Sequence, residues 1–183
     1  MQILKTACSH LQIKNIIYQM NSFKKPKLIL QKSQIDTVLD WLGLGAVISV
    51  WIVTVCIYTD LPQILPIHYN ILGKPDGYGN KMHVLALPIV STFLYVGISI
   101  LNRFPHVFNY PVDITEKNAN YQYALATRFL RYLKFILVII FEFIIYNIAS
   151  QTNLRIWFLP CILGLVFIPL LYYIYKAKYS NPV

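Results

Sequence analysis

Residues 41–58 have the sequence WLGLGAVISVWIVTVCIY, which contains no charged side chain over eighteen positions. An α-helix rises about 1.5 Å per residue, so this stretch would be about 27 Å long, close to the roughly 30 Å hydrocarbon core of a bilayer. The stretch also lacks the polar face that a helix on the surface of a water-soluble protein needs. We therefore predict that residues 41–58 cross a membrane as a helix.

Three further stretches have the same character. Residues 84–101 and 156–175 carry no charge, and residues 133–150 carry only Lys134 at their start and Glu142 inside. Hydrophobic residues make up 57% of the 183-residue chain and charged residues 13%. This composition does not fit a protein whose whole surface is in water. The sequence predicts an all-α membrane protein with four transmembrane helices. An amphipathic segment that begins at Thr115, the predicted N-cap, is expected to continue into the third helix.

Lysine and arginine are distributed unequally between the two sides of these predicted helices. All but three of the 16 Lys and Arg residues fall on one side, and the three on the other side are Lys74, Lys81 and Arg155. Because cytoplasmic loops carry the excess of basic residues, both termini are predicted to lie in the cytoplasm. Residues 1–35 would then be a basic cytoplasmic segment, with Met20 as a candidate for the true start of the protein.

The loop between the first two predicted helices, residues 61–81, has the sequence LPQILPIHYNILGKPDGYGNK. Two prolines exclude a helix from its first half, and residues 67–71 predict a short extended segment. The tetrapeptide at residues 74–77, Lys-Pro-Asp-Gly, predicts a type I turn. We expect this extracytoplasmic loop to be structured.

This string resembles the signature of a bacterial membrane family known as domain of unknown function 1648. A second stretch, NYPVDITEKNANYQYALATRFLRYLK at residues 109–134, is similar to the cytoplasmic loop of single-domain members of that family. The resemblance covers residues 36–149 and leaves residues 150–183 as a tight turn, the fourth helix and a short basic tail. It implies a multi-pass protein of the bacterial cytoplasmic (inner) membrane.

One relative in this family is the immunity protein against a sporulation-delaying toxin, which carries the domain ahead of a second membrane domain and combines toxin resistance with signalling through a bound repressor. The resemblance implies sensing or protection at the cell envelope, with an extracytoplasmic peptide or a cytoplasmic regulator as the partner. It also implies an extracytoplasmic motif, either ligand-binding or structural, that consists of Pro66, His68, Asn70, Gly73, Pro75, Asp76, Gly77, Gly79 and Lys81.

His68 is the first candidate for a binding residue in that motif, because Asp60, Asp76 and His83 are near it in sequence. These side chains are types that bind divalent cations, but no histidine pair has the i, i+4 spacing of a zinc-binding helix. The alternative is that His68 packs against Tyr69 or caps loop backbone groups. We predict no metal site and no cofactor.

Glu142 is the only acidic residue inside a predicted span. Placing a carboxylate at the centre of a membrane costs about 2.5 to 3.5 kcal/mol on insertion scales, so Glu142 should face the bundle and be protonated or paired. Two interpretations stay open. One is a proton relay or polar substrate contact in a small transporter, and the other is a neutral acid hydrogen-bonded across helices to Thr54, Ser91 or Thr92.

Arg128, Arg131 and Lys134 recur at three-residue spacing up to the start of the third span, which puts them within about 120° of one helix face. They are predicted either to reach anionic headgroups or to dock a cytoplasmic partner such as a repressor. No nucleic-acid partner is expected, because the basic residues do not interleave with aromatic ones in a patch. No catalytic constellation can be assembled either, so the chain is predicted not to be an enzyme.

Overall fold

The computed structural model describes residues 25–180, and this part of the chain is mostly helical with one small hairpin. Its long elements are α1 (Gln34–Tyr58), β1 (Ile64–Tyr69), β2 (Pro75–Asn80), α2 (Ala86–Leu101), α3 (Ala119–Ala149) and α4 (Phe158–Tyr179). A 3-10 helix, Lys81–Leu85, leads into α2, and a second one, Pro105–Val107, follows it. Four helices in the described part are long and apolar enough to cross a membrane, as predicted. The predicted start at Met20 lies outside the described residues.

Helix α1 begins two turns before the apolar run that predicted it. Ser33 is its N-cap: the Ser33 hydroxyl accepts a hydrogen bond from the backbone N–H of Asp36, and the Asp36 carboxylate accepts one from the backbone N–H of Ser33. This reciprocal capping box satisfies backbone donors that a helix start otherwise leaves without partners. The additional turns bring Asp36 and Asp40 onto the same helix as the membrane span.

Helix α3 is continuous over 31 residues, which merges the predicted amphipathic segment with the third span. The regular helix begins at Ala119, one turn after the predicted N-cap Thr115. Thr115 still caps this end: the backbone N–H of Asn118 donates to Thr115 Oγ1 at 3.3 Å, and that of Thr115 donates to Asn118 Oδ1 at 2.9 Å. The backbone N–H of Ala119 also donates to the carbonyl oxygen of Thr115 at 2.9 Å, so this reciprocal pair satisfies backbone donors at the helix start, as the Ser33 capping box does in α1.

The core of the bundle lies between α1, α2 and α3. Val50 of α1 and Val138 and Ile145 of α3 are fully buried there. Helix α4 packs mainly on α3, through aromatic stacking of Tyr173 on Phe129 and a hydrogen bond from the Gln122 amide to the carbonyl oxygen of Ala177. The three-helix core therefore carries the hairpin, and α4 lies at its side.

Candidate functional site

The hairpin turns at residues 70–73, not at residues 74–77 as predicted. The Asn70 side-chain oxygen accepts hydrogen bonds from the backbone N–H groups of Leu72, at 2.9 Å, and Lys74, at 3.0 Å. Gly73 has a φ of +75°, in the left-handed region that glycine adopts without strain. The predicted type I turn is wrong because the Asn70 side chain organises an earlier turn, which leaves the Pro-Asp-Gly segment free to form β2.

The tip of the hairpin is docked on the turn between α3 and α4. A Cβ atom added at Gly73 would lie 1.8 Å from the backbone carbonyl oxygen of Leu154, so only glycine allows this approach. At the base of the hairpin, Leu61, Leu65 and Val84 are buried in the core of the bundle. The hairpin is therefore held at both ends.

The other glycines of the motif permit close pairing between the two strands. Gly77 lies opposite His68, and a Cβ atom there would be 3.0 Å from the Cβ of His68. A Cβ atom at Gly79 would be 2.9 Å from Cδ1 of Ile67. These two positions are structural parts of the motif.

The prolines and the lysine of the motif also have structural positions. Pro66 pairs with Tyr78 across the sheet, and Pro75 pairs with Tyr69. The Lys81 ammonium lies over the ring of Tyr58, 4.9 Å from its centroid, at the end of α1. The motif lysine, directly after β2, therefore connects the hairpin to the end of α1.

His68 and Asp76 face each other across the strands, with 2.5 Å between His68 Nδ1 and Asp76 Oδ1. Both side chains are exposed, His68 to 72% and Asp76 to 43%. Nδ1 of His83 contacts the carbonyl oxygen of Asn80 at 2.7 Å. Within residues 25–180 no group of three or more His, Cys, Asp or Glu side chains lies close enough together to hold a metal ion. The structure thus joins His68 to Asp76 without a third potential ligand from this set.

Glu142 has a hydrogen-bond partner on α1. The Ser49 hydroxyl donates to Glu142 Oε1 at 2.5 Å, which links α1 to α3 inside the membrane-spanning region. The partners suggested from the sequence are wrong, because the hydroxyls of Thr54, Ser91 and Thr92 bond to backbone carbonyls of their own helices. Ser49 and Glu142 also line a lateral groove of about 480 Å³ between α1 and α3.

A cluster of ion pairs lies at the other end of the bundle, where α1 and α3 begin. Arg128 Nε donates to Asp36 Oδ1 at 3.0 Å, and Arg131 Nη1 lies 3.7 Å from the same oxygen. The Arg128 guanidinium also donates to the Ser33 hydroxyl, at 3.1 Å. The N-cap of α1 is thereby tied to α3.

Asp40, one turn further along α1, contacts three cations. Its carboxylate accepts from Lys32 at 2.8 Å, from Lys134 at 2.9 Å and from Arg131 at 3.4 Å. Lys134 also donates to the Ser99 hydroxyl at 3.2 Å, and the ring centroid of Tyr95 lies 4.7 Å from its ammonium. The cluster therefore connects α1, α2 and α3.

Arg128, Arg131 and Lys134, which were predicted to reach headgroups or to dock a partner, differ in exposure. The side chains of Arg131 and Lys134 are only 10% and 4% exposed, whereas that of Arg128 is 40% exposed. Buried cations need partners, and the carboxylates of Asp36 and Asp40 supply them. These two aspartates were missed in the sequence, although acidic residues four apart on one helix and basic residues three apart on another are complementary.

The family comparison falls on the part of the chain that contains the hairpin. Residues 45–92 match a domain of unknown function, DUF1648. An uncharacterised protein of Archaeoglobus fulgidus is 28% identical to the chain over 78 residues, which is 38% of this chain and 43% of the archaeal protein. The chain therefore spans less than half of the length of that relative. No solved structure matches the chain.

The DUF1648 match contains the second part of α1, the whole hairpin and the start of α2. Ser49 lies within it, whereas Glu142 and the ion pairs of Asp36 and Asp40 lie outside it. This relative does not support the bacterial origin that the sequence resemblance implies, because Archaeoglobus fulgidus is an archaeon. The comparisons and the fold together describe a chain whose residues 45–92 match the DUF1648 model and whose described part has four helices long and apolar enough to cross a lipid bilayer.

Proposed function

We propose that this chain is a non-enzymatic, multi-pass protein of a cytoplasmic membrane, with both termini in the cytoplasm and the hairpin outside. The distribution of charge supports this orientation. In the described part of the chain the hairpin end carries Lys74, Lys81 and Arg155, and the remaining Lys and Arg residues lie at the opposite end. The positive-inside rule assigns that richer end to the cytoplasm.

The hairpin is the proposed recognition element, and it binds an extracytoplasmic peptide in a sensing or protective role. The observation that carries this proposal is that the hairpin is fixed on the bundle while one of its faces is open. Gly73 contacts Leu154 at the tip, and Leu65 is buried at the base. A preorganised element loses little conformational entropy when it binds, which favours affinity.

The open face of the hairpin combines charge with apolar surface. Asp76 and Tyr78 are exposed along β2, in alternation with half-buried neighbours, and His68 and Ile64 are exposed on β1. Tyrosine rings and aliphatic side chains supply contact area in interfaces, and polar side chains such as the His68–Asp76 pair orient the partner. This composition suits an amphipathic peptide that binds at the extracytoplasmic face of the same membrane.

The test uses the full chain in lipid nanodiscs and a panel of synthetic amphipathic, membrane-active peptides, with binding measured by surface plasmon resonance. His68→Ala and Asp76→Asn are expected to weaken binding of a recognised peptide about tenfold, because each alters one member of the hydrogen-bonded His68–Asp76 pair on the open face. His83→Ala and Asp60→Asn are matched controls, since they change the same residue types at exposed positions near the hairpin. Equal losses in all four variants, or no loss in the first two, would contradict the proposal.

A second candidate function is a small proton-coupled transporter that uses Glu142. The observation in its favour is that Glu142 and Ser49 place a polar pair in a groove of about 480 Å³ that borders the apolar faces of α1 and α3. In proteoliposomes with an enclosed pH-sensitive dye, Glu142→Gln should abolish proton flux while the fold is kept, because the amide oxygen still accepts the Ser49 hydrogen bond. Flux that survives this substitution would exclude the transporter role.

A further inference from the structure

A pocket of about 710 Å³ lies at the end of the bundle where α1 and α3 begin and α2 ends. Its charged lining comes from four parts of the chain: Lys32 precedes α1, Asp40 is on α1, Arg103 follows α2, and Arg131 and Lys134 are on α3. Four cations thus face one carboxylate. The proposed role of the hairpin makes no use of this pocket, which is at the opposite end of the helices.

The positive charge of the pocket is only partly neutralised within the protein. The Asp40 carboxylate pairs with Lys32, Arg131 and Lys134 at once, and Arg131 also lies 3.7 Å from Asp36. Arg103 is exposed at the pocket, and within residues 25–180 its side chain takes part in no ion pair. Arginine and lysine side chains that converge with spare donors are suited to the oxygens of a phosphate group.

The rest of the lining is apolar, and much of it is exposed. Trp41 is 68% exposed and Ile29 is fully exposed, and Leu28 and Leu44 contribute further apolar surface to the same pocket. Trp41 is also the first residue of the uncharged run of α1, so it lies at the level of the membrane interface, where tryptophan is enriched. A ligand that fits this lining has an anionic group joined to apolar chains.

We propose that this pocket binds the headgroup of an anionic phospholipid. Arg103 and Lys32 contact the phosphate oxygens, Arg131 and Lys134 supply positive potential from the α3 side, and the acyl chains lie against Trp41. Basic pockets between transmembrane helices bind lipid headgroups in this way. A free phosphate would meet the same cations, but it would leave the apolar part of the pocket uncovered.

Trp41 provides a direct probe of occupancy. The full chain carrying Trp51→Phe and Trp157→Phe retains Trp41 as its only tryptophan. It is reconstituted in phosphatidylcholine vesicles that contain a minor fraction of brominated phosphatidylglycerol or brominated phosphatidylcholine, because bromine quenches a tryptophan that it contacts. We expect brominated phosphatidylglycerol to reach half-maximal quenching at about a tenfold lower fraction than brominated phosphatidylcholine.

Arg103→Ala should reduce this preference about fivefold, the share of one cation near the membrane surface. Lys117→Ala is the matched control, because Lys117 is an exposed cation at the same end of the bundle and does not line the pocket. Equal quenching by the two lipids, or an equal effect of the two substitutions, would overturn the proposal. Loss of the preference upon addition of millimolar inorganic phosphate would also overturn it, by identifying a free anion as the ligand.

Discussion

Replacing Gly73 with alanine should release the hairpin from the bundle. The added Cβ atom would lie 1.8 Å from the Leu154 carbonyl oxygen, whereas ordinary contact begins at 3.4 Å, so the tip must retreat by about 1.6 Å. The φ of +75° adds a second penalty, because a left-handed conformation costs an L-residue about 1 to 2 kcal/mol. Inserting a methyl group into a packed site costs about 1 to 3 kcal/mol more. We expect the docked state to lose about 2 to 5 kcal/mol.

Hydrogen exchange measures this loss locally, without the need to unfold a membrane protein. If docking protects the amides of residues 64–80, a loss of 2 kcal/mol accelerates their exchange about 30-fold, at roughly 1.4 kcal/mol per factor of ten. Peptides that cover residues 150–157 should lose protection together with them, because they form the other side of the contact.

Two glycines serve as controls for this substitution. Nothing lies within 4 Å of a Cβ atom at Gly97 in α2, so Gly97→Ala should leave hairpin exchange unchanged. At Gly79 the obstacle is the end of the flexible Ile67 side chain, and Gly79→Ala should have a smaller effect than Gly73→Ala. Exchange in Gly73→Ala that matches Gly97→Ala would refute the argument that the tip is docked.

Two further predictions concern the rest of the described fold. Asp40→Asn leaves the Lys134 ammonium, which is 4% exposed, without its carboxylate, and should destabilise the bundle by about 3 kcal/mol. In thermal unfolding in detergent, its melting temperature should fall clearly below that of the exposed control Asp113→Asn and recover in part in Asp40→Asn/Lys134→Gln. Identical melting of the two single variants would contradict this prediction. Burial, reinforced by Tyr173 and Tyr123, raises the pKa of Tyr110 above its ordinary value of 10.0. The folded chain therefore holds this proton more tightly than the unfolded chain, so its stability should be intact below about pH 10 and decrease above it. Tyr110→Phe should remove part of that alkaline decrease, and a pH dependence of melting equal to that of the wild type would count against this assignment.

The four spans could be predicted because run length and lack of charge encode them within single segments. Residues 41–58 needed no partner to be recognised, and the two prolines of the following loop excluded a helix there. The position of the turn could not be predicted, because local sequence patterns do not decide between a turn at residues 74–77 and one at residues 70–73. Pro75-Asp76-Gly77 has good turn chemistry, but the Asn70 side chain and the fit of Gly73 against Leu154 select an earlier turn, and Leu154 is distant in sequence.

The ion-pair cluster could not be located from the sequence for a related reason. The helical step places Arg131 and Lys134 on one side of α3, but it does not say whether that side meets lipid, water or another helix. The answer depends on where α1 lies and on how far its start extends before Trp41. The capping box of Ser33 and Asp36 decides that extension, and through it the positions of both carboxylates.

The same cluster imposes an order of events while the chain is being made. Arg128 follows Asp36 by 92 positions, so at a synthesis rate of about 5 to 20 residues per second the first helix waits roughly 5 to 20 s for its partner. Within residues 25–180, the partners that precede α3 are the hydroxyl and backbone N–H of Ser33 for the Asp36 carboxylate, and Lys32, eight residues before it, for the Asp40 carboxylate. These short-range bonds stabilise the two carboxylates at the membrane surface until α3 has been synthesised. Because α4 adds nothing to the cluster, the bundle can be closed before the last helix leaves the ribosome.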